Sequence, residues 1–199
     1  MKPKRNKLLI AVAAIVVLFV MVAILCFTKR SVSPVLAFNS FGAGKTYDSS
    51  VSWMVGVYLY KGQSEYRGQA EWFIPKTSGR LNTIEIAIRA NNSSDWLNVS
   101  VSEDDNGLPG KALESFQGIA GKKSNPRSAT LILKSTAHPA LQAGKKYWLC
   151  AEPGNDTSTW SWAYNNQYLA NGSAYERQQS GWESFGGTRN GAFSVSVIP

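Results

Sequence analysis

Histidine and cysteine are almost absent from this 199-residue chain, which has one His (His138) and two Cys (Cys26 and Cys150). Cys26 lies inside a long apolar run, so a disulfide framework within one domain is excluded, as is any Cys/His zinc site. The single His precedes Pro139 and no Gly-x-Ser-x-Gly elbow occurs, which leaves serine-triad chemistry without a basis. Beyond Ala37 no stretch carries sustained apolar spacing at i, i+3, i+4 and i+7, and no repeat of 20–50 residues is present.

Acidic residues are missing from the first 30 positions. That segment holds six of the 21 basic residues (Lys2, Lys4, Arg5, Lys7, Lys29 and Arg30) and none of the 13 acidic ones. Without it the formal charge of +8 falls to +2, because 15 basic residues then face 13 acidic ones. The basic balance therefore belongs to one end of the chain and does not point to nucleic acid.

Between those charges, Leu8–Phe27 runs without a charged residue, Gly or Pro. As a helix it would span roughly 30 Å, the thickness of a bilayer's hydrocarbon core, and only a helix satisfies its own backbone there. A cleaved secretory signal is the competing reading, but its apolar core is usually only about 7–15 residues. Neither Ala23-Ile24-Leu25 nor Leu25-Cys26-Phe27 is a small-x-small site, and Pro34 directly follows Ser31-Val32-Ser33. Leu25 before Cys26 also lacks the small residue a lipoprotein signal needs. An uncleaved signal anchor is expected, with Leu8–Phe27 in the lipid bilayer. Four basic side chains before the span and two after it place the N-terminus in the cytoplasm. The expected organisation is a cytoplasmic tail over 1–7, a transmembrane helix over 8–27, a tether over 28–36 and an extracytoplasmic domain over 37–199.

Period-two alternation dominates that domain. Ile84, Ile86, Ile88 and Ala90 share one face, and Leu97, Val99 and Val101 alternate with polar residues. Ala129, Leu131 and Leu133 do the same, as do Phe193, Val195 and Val197. Val51–Tyr60, Ala70–Ile74, Lys145–Glu152 and Thr159–Asn165 read as further strands, richer in aromatics. Turn clusters such as Asn91–Asp95, Asp104–Gly110, Gly121–Pro126 and Gly186–Gly191 separate them. The pattern predicts an all-β antiparallel sandwich of jelly-roll type, with the C-terminal strand paired inside a sheet.

Five of these stretches also carry a likeness in order and spacing: Ala70–Pro75, Leu81–Ile88, Asp104–Gly110 (D-D-N-G-L-P-G), Leu141–Leu149 and Gly191–Val195. Together they resemble the bacterial "choice-of-anchor" type of exported domain over most of 69–197. The resemblance implies an extracytoplasmic β-sandwich at the bacterial cell surface and supplies no catalytic residues. A helical N-terminal anchor here stands in place of the C-terminal sorting tail of many relatives.

Each chemical motif has a structural counterpart. Asp104-Asp105-Asn106-Gly107 fails as an EF-hand, because Ser102 and Leu113 occupy the two end ligand positions. It reads as a turn followed by a second bend at Pro109-Gly110, with a surface calcium site on Glu103, Asp104 and Asp105 as the alternative. Lys145-Lys146 reads as solvated edge protection, and Lys122, Lys123 and Arg127 as a soluble loop. Cys150 reads as a packed thiol. Asn91, Asn92, Asn98, Asn155 and Asn171 each begin an Asn-x-Ser/Thr triplet, which is ordinary polar surface in a bacterial protein.

The aromatic residues carry the functional reading. Trp160, Trp162 and Tyr164 share one strand face, with Tyr175 and Trp182 close behind. Aromatic platforms stack on sugar rings, so Trp182, Trp160, Trp162 and Tyr175 are the candidate ligand contacts, with core packing the competing role of Trp160 and Trp162. Trp72, Trp96 and Trp148 are expected in the core or at its edge. Trp182, in a polar Gly-rich stretch, is the best candidate for a partly exposed contact. A glycosidase would need two facing carboxylates, for which Glu152, Asp156, Glu176 and Glu183 are available, but nothing selects two of them. Adhesion or recognition, with carbohydrate or envelope proteins as partners, is the primary expectation. A small carboxylate hydrolase and a purely structural envelope protein are the alternatives. No metal, cofactor or nucleic acid is expected.

Overall fold

The computed structural model describes residues 32–60, 62–121, 130–165, 173–177, 181–185 and 190–199. The Leu8–Phe27 run, the Lys122, Lys123 and Arg127 group and Asn171 lie outside the described residues. Among those described, no helix is long and apolar enough to cross a membrane. Residues Pro34–Pro199 form one compact unit.

That unit is all-β. Its strands are β1 (Val35–Asn39), β2 (Tyr47–Tyr60), β3 (Gln63–Phe73), β4 (Gly79–Ile86), β5 (Ile88–Ala90), β6 (Trp96–Asp105) and β7 (Leu108–Ala120). They continue with β8 (Leu131–Lys134), β9 (Ala140–Leu141), β10 (Tyr147–Pro153), β11 (Thr159–Asn165), β12 (Ser173–Arg177), β13 (Trp182–Phe185) and β14 (Phe193–Ile198). Every pairing is antiparallel. A smaller sheet runs β1-β14-β4-β8, with β9 also on β4. The larger sheet runs β5-β11-β2-β3-β10-β6-β7, and β3 also carries the β12–β13 ribbon.

The two sheets share one core. Ala37, Leu81, Ile84, Ile86, Phe193, Val195 and Val197 from the smaller sheet pack with Val55, Phe73, Leu97, Val99, Val101, Leu149 and Trp162 from the larger. Alternation explains this directly, since every second side chain of a strand points to the same face. A chain of rings links the sheets: Phe38–Phe73 at 5.5 Å, Phe73–Phe193 at 5.8 Å and Phe193–Trp162 at 6.0 Å. The C-terminal strand β14 lies between β1 and β4, paired inside a sheet as expected.

Three local expectations are corrected. Ile84 to Ala90 is not one strand. At Ala87 the chain leaves the smaller sheet for the larger, with the Ala87 N–H donating to Ala192 O at 2.9 Å and its carbonyl accepting from Ala163 N at 2.8 Å. Pro109-Gly110 is not a bend but the start of β7, paired across from Asp104. The only turn there is Asn106-Gly107, whose φ values of 53° and 88° suit a two-residue hairpin of the type that matches strand twist. Finally, Lys145-Lys146 leads into β10, an interior strand between β3 and β6, so edge protection is not its role.

Candidate functional site on the outer face of the larger sheet

The inward face of the larger sheet is consumed by the core, and its outward face collects a second aromatic group. Ala70 on β3 with Trp148 and Cys150 on β10 forms a small buried cluster, against which Trp72, Leu108 and Trp182 pack half-buried. The ladder explains the grouping: Ala70 is opposite Cys150 and Trp72 opposite Trp148, and paired residues project to the same side. Trp182 arrives from the β12–β13 ribbon, which hydrogen-bonds to β3.

Charged groups rim these rings. The Trp148 indole N–H donates to Asp104 Oδ1 at 2.8 Å. Lys146 Nζ lies 3.7 Å from the same oxygen and 5.3 Å from the centre of the Trp72 ring, a cation–π distance. The Asp104 Oδ2 atom accepts from Gly107 N–H at 3.3 Å, which fixes the carboxylate to the hairpin turn. A flat apolar ring beside a held carboxylate and an ammonium can stack on a sugar face and meet its hydroxyls.

The four aromatics selected from sequence do not form one platform. Trp160 and Trp162 are 4% and 0% exposed, and their indole N–H groups donate to Trp96 O and Ala192 O. They are core, and no ligand can stack on them in this fold. Tyr175 is half-buried and sits opposite Glu183, donating its hydroxyl to Glu183 Oε2 at 2.9 Å, while Trp182 sits opposite Glu176. Alternation therefore puts Tyr175 and Trp182 on opposite faces of the ribbon. Trp182 alone reaches the outer cluster. Trp96, expected in the core or at its edge, is 42% exposed. Trp72, expected in the core or at its edge, packs half-buried against the Ala70, Trp148 and Cys150 cluster.

The acidic residues are scattered over separate elements. Glu152 Oε2 accepts from the Tyr66 hydroxyl at 3.3 Å, Asp156 lies in an exposed turn, and Glu183 serves Tyr175. Glu103 pairs with Lys145 at 3.1 Å and Asp105 accepts from Asn106, so the Glu103–Asp105 run is committed to local partners. Among the described residues no group of three or more His, Cys, Asp or Glu could hold a metal ion. Cys150 is buried, with Sγ 4.0 Å from Ser102 Oγ, and His138 Nδ1 lies 2.8 Å from Leu81 O on the smaller sheet. Two carboxylates have displaced proton affinities. Burial pushes the Glu71 carboxyl well above the usual range, only partly opposed by the Gly191 N–H and the Gln69 amide. Burial also acts to raise Glu114, but hydrogen bonds from Ser135, Ala137 and Thr136 outweigh it and hold the group below the usual value.

No protein family and no curated protein matches this chain. Among solved structures it is similar to the cysteine protease and lectin-like domains of Cwp84, a surface layer associated protein of Clostridium difficile. The TM-score is 0.44 at 14% identity, over 75% of this chain and 36% of that one. A second structure, clostridial Cwp84 after propeptide cleavage, gives a TM-score of 0.43 at 16% identity, over 75% of this chain and 41% of that one. This chain thus spans well under half the length of either. At that similarity neither structure says what this chain binds or catalyses.

Proposed function

We propose that this chain is a membrane-anchored recognition module at the bacterial cell surface, a jelly-roll-like sandwich that binds carbohydrate without turning it over. The observation that carries the reading is the pair of half-buried indoles, Trp72 and Trp182, set against Trp148 beside the Asp104–Lys146 pair. Half-buried aromatics rimmed by fixed polar groups favour a ligand that is apolar on its faces and polar at its edges. The resemblance to choice-of-anchor domains supports the surface location, and the Leu8–Phe27 run supports retention in the membrane. Strands distant in sequence but adjacent in space, such as β1 with β14 and β3 with β10, support the jelly-roll reading.

The test is glycan-array binding by the full chain in mild detergent. Binding is expected, and Trp182→Ala or Trp72→Ala should each weaken it by at least about tenfold, the loss typical of an anchoring aromatic. Trp96→Ala, an exposed ring outside the cluster, should leave it unchanged. Absence of binding to any bacterial polysaccharide, or hydrolysis abolished by Glu152→Gln, would displace this reading. Sequencing the mature N-terminus tests the anchor, since a start at Pro34 or Phe38 would refute retention.

A further inference from the structure

The carboxyl of Glu71 serves neither the apolar core nor the outer tryptophans. It is 0% exposed on β3, two residues before the core residue Phe73, and its cross-strand partner on β10 is the core residue Leu149. Oε1 accepts the Gly191 N–H at 3.1 Å, and the Gln69 amide is the carboxyl's other hydrogen-bond partner. The Gly191 bond joins two sheets. It ties β3 of the larger one to the residues leading into β14, which lies between β1 and β4 in the smaller one. That lead-in is packed against the Trp162 indole but belongs to no strand. Asn165 N–H donates to Asn190 O at 2.8 Å, Ser40 Oγ donates to Gly191 O at 3.2 Å, and Tyr164 makes a single bridge to Gly191.

Among the described residues no cation offsets a charge on Glu71. Arg67, four residues back on β3, is turned to Glu65 at 3.8 Å and stacked on Tyr58. Leu149 of β10 and Ser173 of β12 stand opposite Glu71 in the ladders. The lead-in is flanked by Tyr164 and Asn165 of β11, by Tyr47 of β2 opposite Asn165, and by Ser40 beyond β1, none of them a cationic side chain. An ionised Glu71 would therefore be a buried charge with two donors, and its Oε2 is buried without a partner. The neutral acid loses far less on leaving water. Burial accordingly raises the proton affinity of Glu71, and the Gly191 and Gln69 donors oppose it only in part.

We propose that Glu71 is a proton-operated latch: while neutral it holds Gly191 and the lead into β14 against the core, and on losing its proton it turns out to water and releases that segment. The lead-in is the wall that yields, because β3 and β10 are laddered on both sides whereas residues 190–192 are not. The latch's contribution to stability is complete below about pH 4.5, the unfolded-state value, and is lost as pH rises through the raised folded one. The join between the sheets is thus tighter in acid than in alkali, independently of the outer tryptophans.

The experiment is hydrogen exchange of the full chain in detergent from about pH 5 to about pH 9, with an infrared spectrum at each pH. The infrared difference between wild type and Glu71→Gln should show a protonated carboxyl at about pH 6, where an ordinary carboxylate is ionised. Across the range, exchange of residues 190–198, corrected for its intrinsic rate, should rise at least about tenfold in the wild type. In Glu71→Gln, neutral throughout, it should stay level, and β10 should keep its protection in both. An ionised Glu71 at about pH 6 overturns the latch. So does exchange at 190–198 that ignores pH in the wild type, or that follows pH equally in both proteins. Should Glu71→Gln fail to fold, Glu71→Met, neutral and free of hydrogen bonds to satisfy, takes its place. The wild-type exchange profile, if level, overturns the latch without any variant.

Discussion

Ser135 donates its hydroxyl to Glu114 Oε2 at 2.5 Å, joining the turn after β8 in the smaller sheet to β7 in the larger. The other oxygen, Oε1, accepts the backbone N–H groups of Thr136 at 2.7 Å and Ala137 at 3.1 Å. Ser135 Oγ in turn accepts from His138 N–H at 2.9 Å. One carboxylate thus organises a whole turn and clamps it to the opposite sheet.

This clamp gives stability a predictable dependence on pH. Glu114 is held below its ordinary value, so its contribution is complete above about pH 4.5, the unfolded-state value, and is lost as pH falls through the folded one. Glu114→Gln should flatten that acid limb in denaturant titrations between pH 7 and pH 3. Glu114→Ala should cost about 2–3 kcal/mol at neutral pH, since several donors lose a charged acceptor.

Gly191 cannot carry a side chain. A Cβ there would fall inside the indole of Trp162, which is fully buried and cannot swing away. Gly191→Ala should lower stability by about 3 kcal/mol and shift the tryptophan emission. Gly144 is the control: its Cβ would meet nothing, so Gly144→Ala pays only the strain of φ +79°, about 1 kcal/mol.

Two tryptophans of one sequence reading should behave oppositely. Trp162→Ala removes a fully buried ring and should cost about 3–5 kcal/mol, seen as a large drop in melting temperature. Trp182→Ala removes a half-buried ring from the outer cluster and should cost under about 2 kcal/mol while weakening the proposed carbohydrate binding by at least about tenfold. Equal effects of the two on melting would mean that Trp182 is simply core.

The β6–β7 hairpin depends on Asn106 at φ 53°, a conformation that Asn tolerates and branched residues do not. Asn106→Val should destabilise by about 1–2 kcal/mol, measured by urea unfolding, and should loosen Asp104 and its bond to Trp148.

By itself, the sequence determined the strand content, the antiparallel class and the Asn106-Gly107 turn. These follow from period-two alternation and turn chemistry, which act within a few residues. Only the tertiary structure decided which face of each strand is inside. The alternating residues Ala70, Glu71, Trp72 and Phe73 cover both sides of β3: Phe73 enters the main core, Ala70 and Trp72 face outward, and Glu71 lies buried in the interior. A strand covered on both faces has no solvent side to give its register away, so alternation fixes a period but not a direction. The same holds for the step between sheets at Ala87 and for the separation of Tyr175 from Trp182. Each is set by partners far away in sequence, and hydrogen-bond pairing with those partners exists only once the chain has folded.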